Sequence, residues 1–299
     1  AEMKGWPKND GNIILYVEII LMLLFLTMNG ADLWIQQNAP DYNYIKAGSF
    51  PVSQFILPLF DGISSNIVFI IERVAWWLHI IGILCFLNYL YYSKHLHIIL
   101  AFPNTYFANL NPKGKFSNLE SVTKEVKMML DTSADPFAAS PNQEIAKFGA
   151  SDVFDLNKIQ LLNAYTCTEC GRCTSECPAN LTGKKLSPRK IMMDTRDRLE
   201  EVGRNIDLNK GDYKSDGKEL LNDYISKEEL WACTSCNACV EACPIGIDPL
   251  SIIMDMRRYL VMEKSDAPME LNNMMSNIEN NGAPWPFNQM DKLNWKNEL

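Results

Sequence analysis

Histidine is almost missing from this chain: its 299 residues hold three, His79, His95 and His97, and none follows. Glycine-rich phosphate loops are missing too. Neither a G-x-G-x-x-G fingerprint, a Walker loop nor a triad arrangement occurs, so the chain has no evident nucleotide, flavin or hydrolytic site of its own. Positive charge is short, with 28 Lys and Arg against 36 Asp and Glu and a net charge of -8. No basic stripe exists to neutralise phosphates, which excludes a nucleic-acid-binding role. A charged n-region followed by a small-residue cleavage site is lacking, so the first apolar run does not read as a signal peptide. No cysteine follows Cys243, which leaves no spare thiol pair for substrate chemistry.

The cysteines that are present carry the reading. Eight of the nine fall in two copies of C-x2-C-x2-C-x3-C-P, CTECGRCTSECP over 167–178 and CTSCNACVEACP over 233–244. In this spacing three thiolates of a loop wrap one cubane of iron and sulfide. The fourth, carried off by the proline after it, ligates the other cluster. The expected ligand sets are Cys167, Cys170, Cys173 and Cys243 for one 4Fe-4S cluster, and Cys233, Cys236, Cys239 and Cys177 for the second. Structural zinc uses two ligand pairs separated by a longer loop, and neither copy has that form or a histidine near it. Disulfides are not expected among thiols packed this closely in a large, non-secreted chain.

The repeat extends beyond the thiols. An aromatic stands two residues before each run, Tyr165 and Trp231, and a helix start of one design follows: Ser187 then Pro188, and Asp248 then Pro249, as N-cap and first helical residue. The helices then match, Ile191-Met-Met-Asp-Thr-Arg196 against Ile252-Ile-Met-Asp-Met-Arg257. Between the copies, helical pattern runs over 190–202 and again over 217–230. The fold class expected is all-α.

Two long apolar stretches precede this domain. Residues 12–28 are apolar apart from Glu18, and 74–92 carry aromatics at both ends, as interfacial belts require. Two transmembrane helices are expected, at roughly 11–30 and 66–92, in an anchor spanning 1–110. The apolar run 54–60 is too short to span and is broken by Pro58, so an interfacial or re-entrant piece is expected there. Lys4 and Lys8 precede the first helix, and Lys94, Lys113 and Lys115 follow the second. The loop has only Lys46 against Asp32, Asp41 and Asp61, which directs both ends, and both cysteine runs, to the cytoplasmic side of the inner membrane.

His79 and His97 stand five helical turns apart, so on one continuous helix they share a face roughly 27 Å apart, one near each membrane surface. Two b-type haems want that placing, although each needs a second histidine on a neighbouring helix and the first helix has none. The alternative is that His95 and His97 snorkel at the interface with Lys94 while His79 hydrogen-bonds within the bundle. Cys85 reads as a small buried apolar residue.

A linker occupies 111–155, with helical character over 119–130, and the dicluster domain 156–265. The polar tail, 266–299, carries Trp285, Phe287 and Trp295 as anchors for an extended segment docked on a partner. Arg172, Lys184, Lys185, Arg189 and Lys190, around the first loop, either raise the potential of the neighbouring cluster or form a solvated face.

At 156–261 the chain resembles the alpha-helical ferredoxin domain of iron-sulfur oxidoreductases, the group with heterodisulfide reductase subunits, the iron-sulfur subunit of glycolate oxidase and the succinate dehydrogenase iron-sulfur protein. All eight cysteines of the two runs occupy that family's ligand positions. The helix from Trp76 to His97, ending Tyr-Ser-Lys-His-Leu-His, is similar to the last helix of nitrate reductase gamma-type cytochrome b anchors, which implies haem b on His79 and His97. Larger members carry a cysteine-rich CCG module for substrate chemistry, which implies a partner subunit of that type here. The resemblance implies an electron-transfer subunit of a membrane oxidoreductase complex, relaying electrons to quinone or haem. The other function class is a membrane-recruited iron-sulfur scaffold or redox sensor.

Overall fold

The computed structural model describes residues 6–42, 45, 48–112, 114–131, 147–286 and 288–297. Lys4, Lys46, Lys113, Phe287 and the 132–146 part of the expected linker lie outside them. Among the described residues there are helices and turns and no strand. The chain divides into two compact units, Ala1–Pro103 with Thr166–Gly171, and Asn104–Tyr165 with Arg172–Leu299.

The first unit is built on α1 (Trp6–Asn38) and α2 (Ser65–Leu90). They run antiparallel, because Asp10 bonds Tyr89 and Ser93, Leu21 lies against His79 and Gly82, and Ala31, Trp34 and Ile35 cluster with Val68. Gly82 sets the close approach at mid-length: a Cβ there would stand 2.7 Å from Leu21 Cδ2. At one end the Asp10 carboxylate accepts from Tyr89 Oη (2.5 Å), Ser93 Oγ (3.1 Å) and the Lys94 N–H (3.0 Å). At the other, Trp34, Ile35, Phe60 and Val68 form a small core. The run expected at an interface is a 3-10 helix, Ser53–Phe60, whose Ile56 and Leu57 pack on that core while Phe55 and Leu59 stay exposed.

Elsewhere the two helices bury little. Only 6% of the most apolar stretch of α1 and 17% of that of α2 is buried, where the core helix of a soluble protein would be enclosed. Both are long and apolar enough to cross a membrane. Cys85, expected to be buried, is exposed, as are its neighbours Leu84 and Leu87, because most of α2 is left uncovered among the described residues.

The second expected helix does not continue to His97. It ends at Leu90, Tyr91–Ser93 form a turn, and α3 (His97–Tyr106) starts after a short 3-10 step. The cause is competition for backbone donors: Ser93 Oγ caps the His95 N–H, and Asp10 takes the Lys94 N–H.

In the second unit come α4 (Glu120–Leu130), α5 (Lys158–Thr166), the one-turn helices α6 (Arg172–Ser175) and α7 (Pro178–Leu181), and α8 (Pro188–Leu208). Then follow α9 (Lys227–Ala232), α10 (Ala238–Glu241), α11 (Pro249–Arg258) and α12 (Met269–Asn281). The repeat helices α8 and α11 start as their caps direct: Ser187 Oγ accepts from the Lys190 N–H (3.3 Å) and Asp248 Oδ1 from that of Ser251 (3.0 Å). They pack together and turn matching residues inward, Ile191 and Met192 on one, Ile252 and Ile253 on the other.

Two stretches differ from expectation. Of the helix expected over 217–230 only the start of α9, from Lys227, forms: Gly217 has φ +73°, and a wide turn at Leu220–Tyr224 contains an extended Leu221 and a left-handed Asn222. Tertiary acceptors claim the donors a helix would use, since Leu220 N–H goes to Asp152 Oδ1 (3.1 Å) and Leu221 N–H to Ser151 O (3.0 Å). The tail is not extended throughout either, for α12 occupies 269–281 and closes on Gly282 in the left-handed C-cap conformation.

Candidate metal centre

Each cysteine loop needs backbone that turns sharply enough to aim three sulfurs inward, and the two copies do this at the same positions. The second position after the first cysteine and the residue after the second cysteine are left-handed in both: Glu169 (φ 59°) and Gly171 (φ 81°), then Ser235 (φ 56°) and Asn237 (φ 61°). Such inversions point successive N–H groups to one side, which suits sulfur anions. The Ser235 N–H indeed reaches Cys233 Sγ at 3.4 Å. A short helix then carries the third cysteine inward, α6 in the first copy and α10 in the second.

The second loop is seen complete within one unit. Cys233, Cys236 and Cys239 line a small cavity together with Cys177 from the first run, and Leu186, Pro188, Leu250 and Ile253 form its apolar walls. Cys177 is delivered there by the proline behind it: Pro178 opens α7, so Cys177 becomes its extended N-cap rather than continuing α6. Among the described residues no three His, Cys, Asp or Glu side chains converge closely enough for a single ion. Four thiols around an apolar hollow suit a wider group.

Electrostatics fits that donor set. Burial pushes the Cys239 thiol up to about 12, with further upward pressure from the neighbouring thiols and Asp248, and burial also raises Cys233. Thiols this reluctant to ionise in an apolar cavity need a metal to displace their protons. The residues present therefore fit a 4Fe-4S cluster. The other expected set is divided, Cys167 and Cys170 falling in the first unit and Cys173 and Cys243 in the second.

Around the second loop stand two residues that motif reading passed over. Arg257, on α11, donates to the carbonyls of Leu230 (Nη2, 2.6 Å) and Cys233 (Nη2, 2.5 Å) and to Ser235 Oγ (3.2 Å), and its guanidinium lies 5.0 Å from the Trp231 ring centre. Both residues belong to the repeat already visible in the sequence. What spacing alone could not reveal is that they meet. Two of the cations after the first run are matched instead: Lys185 pairs with Glu228 (2.7 Å), and Lys190 with Asp194 (2.7 Å) and Glu229 (2.9 Å). Burial would lower the Lys190 pKa, but those two carboxylates hold it above its ordinary value.

The histidines are engaged in local contacts. His79 Nδ1 lies 3.0 Å from Leu21 O and its ring 5.5 Å from that of Phe25. His97 Nδ1 is 2.7 Å from Lys94 O, and His95 Nε2 is 3.8 Å from Glu18. With the helix interrupted after Leu90, His79 and His97 no longer share one continuous helical face.

Residues 166–247 match the 4Fe-4S dicluster domain. The probable iron-sulfur-binding oxidoreductase FadF of Bacillus subtilis is 31% identical over 306 residues, 93% of this chain and 40% of that protein. The EtfAB:quinone oxidoreductase of Syntrophomonas wolfei is 26% identical over 312 residues, 97% of this chain and 41% of that one. A probable membrane-anchored ferredoxin of Chromohalobacter salexigens is 31% identical over 170 residues, 52% of this chain and 25% of that protein. Heterodisulfide reductase subunits of Methanosarcina are similar over shorter stretches. The chain thus spans about two fifths of the length of the first two relatives. No solved structure matches it.

Proposed function

We propose that this chain is the membrane-bound electron-transfer part of an oxidoreductase, relaying single electrons through two 4Fe-4S clusters between a cytoplasmic redox partner and the membrane. The observation that carries the reading is the four-cysteine cavity in which Cys177 of one run joins Cys233, Cys236 and Cys239 of the other. By the repeat, Cys167, Cys170, Cys173 and Cys243 hold the second cluster. When bound, such clusters accept and release one electron at a time without losing a ligand. The chain's own residues bind and orient: the left-handed loop positions aim N–H groups at sulfur, and Leu186, Leu250 and Ile253 keep water from the thiolates.

Two apolar helices with largely uncovered flanks support anchoring in the inner membrane, with the cluster domain on the cytoplasmic side by the distribution of Lys8, Lys94 and Lys115. The similarity to a quinone oxidoreductase supports quinone as the membrane-side acceptor, and a haem b on His79 or His97 is the other acceptor the sequence suggests. Eight thiolates saturate two cubanes, so organic chemistry belongs to a site outside these residues, a CCG-type module or subunit among the candidates. Dithionite titration of the detergent-extracted chain tests the reading. About eight irons and two reversible, interacting paramagnetic signals are expected; tightly bound zinc without iron, or clusters that fall apart on reduction, would overturn it.

A further inference from the structure

The cations near the cysteine runs are not equivalent. Lys185 and Lys190 face carboxylates, and Arg258, next to Arg257, pairs with Asp255 at 2.8 Å. Arg257 differs. Among the described residues its hydrogen bonds go to neutral groups alone, the carbonyls of Leu230 and Cys233 and the hydroxyl of Ser235, and no carboxylate compensates it. Trp231 covers one face of the guanidinium and the side chain is half-buried, so solvent screens its charge weakly.

Those same bonds bind it to the ligand loop. The carbonyl of Cys233 and the hydroxyl of Ser235 flank the N–H that reaches Cys233 Sγ. Asp248, whose carboxylate caps α11, is the opposing charge near this loop, and it acts on Cys239. Its own carboxyl is buried, which pushes its pKa above the ordinary value. In the first copy the position matching Arg257 is Arg196, followed by Asp197, whose carboxylate lies 3.5 Å away.

We infer that Arg257 is the positioning residue of the second-loop cluster. It clamps the loop through the Leu230 and Cys233 carbonyls and places beside it an uncompensated positive charge that favours the reduced state, raising the potential of that cluster. The inference rests on the reading of Cys233, Cys236, Cys239 and Cys177 as its ligands. A cluster that gains one electron becomes one unit more negative, and a fixed, poorly screened cation stabilises that form over the oxidised one.

The experiment uses the full chain in mild detergent, as wild type, Arg257→Gln and Arg257→Lys. Iron and sulfide are counted, then dithionite titrations are followed by electron paramagnetic resonance. The signal altered in Cys177→Ser identifies the second-loop cluster. Arg257→Gln keeps planar donors and loses the charge; its second-loop midpoint is expected to fall by at least about 59 mV, tenfold in the one-electron equilibrium, with the other midpoint unmoved. Arg257→Lys should stay near wild type. An Arg257→Gln protein with full iron and an unmoved midpoint, or with both midpoints lowered alike, overturns the inference. If Arg257→Gln loses its second-loop iron, Arg257→Lys decides: a retained midpoint supports the charge role and a fallen one overturns it. A wild type without iron would overturn the ligand reading itself, and this inference with it.

Discussion

Arg198 has no solvent-exposed surface, yet every face of its guanidinium is met. Nε and Nη2 bond the Asp152 carboxylate at 3.0 and 2.9 Å, Nη1 bonds Asp216 at 2.5 Å, and Nη2 also reaches Lys218 O at 2.6 Å. A buried charge of this kind is tolerable only with its partners in place, so Arg198→Ala should cost about 3–5 kcal/mol in chemical denaturation. The pair also predicts a pH dependence. Arg198 holds the Asp216 carboxyl well below the usual carboxylate range, so its stabilisation is complete above the unfolded pKa of about 3.9 and is lost as pH falls further. Thermal melts should therefore show wild type above Asp216→Asn at neutral pH, with the gap closing in acid below about pH 4. A gap that stays constant down to that range would contradict the linkage.

Cys177 is the other residue with a sharp consequence. It belongs to the first run in sequence and to the second loop's cavity in space. Cys177→Ser should damage the cluster of the second loop rather than that of its own run, seen as loss of one paramagnetic signal and of up to about four irons. Loss of the first-loop cluster alone would refute the crossover.

At the scale of elements, the second unit is held by close backbone contacts as much as by side chains. Gly149 has φ +79°, and a Cβ there would lie 2.5 Å from Tyr259 N and closer still to Asp255 O, both backbone atoms of the α11 end that cannot swing aside. The adjacent Ala150 N–H donates to the same Asp255 carbonyl at 3.0 Å. Gly149→Ala should therefore destabilise by more than about 2 kcal/mol, from left-handed strain plus the clash, read as a lower urea midpoint. Gly82→Ala is milder by the same reasoning, since the atom it meets is the flexible tip of Leu21. Helix starts were legible in the sequence because a cap is chemistry within four residues, as Ser187 and Asp248 show. Helix ends were not: α2 stops where Asp10, more than eighty residues earlier, captures the Lys94 N–H.

For the whole molecule, the membrane reading makes a prediction about sidedness. Protease added to sealed, right-side-out vesicles should leave the domain beyond Lys94 intact and cut within 31–66, if the positive-inside distribution holds. Cleavage near the cysteine runs from outside would reverse the orientation. The exposed Trp285 and Trp295 remain the candidate anchors for a partner, now on a segment that follows α12 rather than on a wholly extended tail.

The sequence alone determined what depends on neighbours along the chain. Cysteine spacing pointed to iron-sulfur ligation, repeated Ser/Asp-Pro starts located α8 and α11, and long, mostly apolar runs marked two helices long enough to cross a membrane. The tertiary structure decided what depends on groups far apart. It turned the first part of the helix expected over 217–230 into a wide turn by giving the Leu220 and Leu221 N–H groups to Asp152 and Ser151, leaving only α9 from Lys227, and it broke the path between His79 and His97. It also brought Arg257 over Trp231 and onto the Cys233 carbonyl. The physical reason is common to all three: a backbone donor or a half-buried cation takes the best acceptor in space, and local pattern does not reveal which distant acceptor folding will bring within reach.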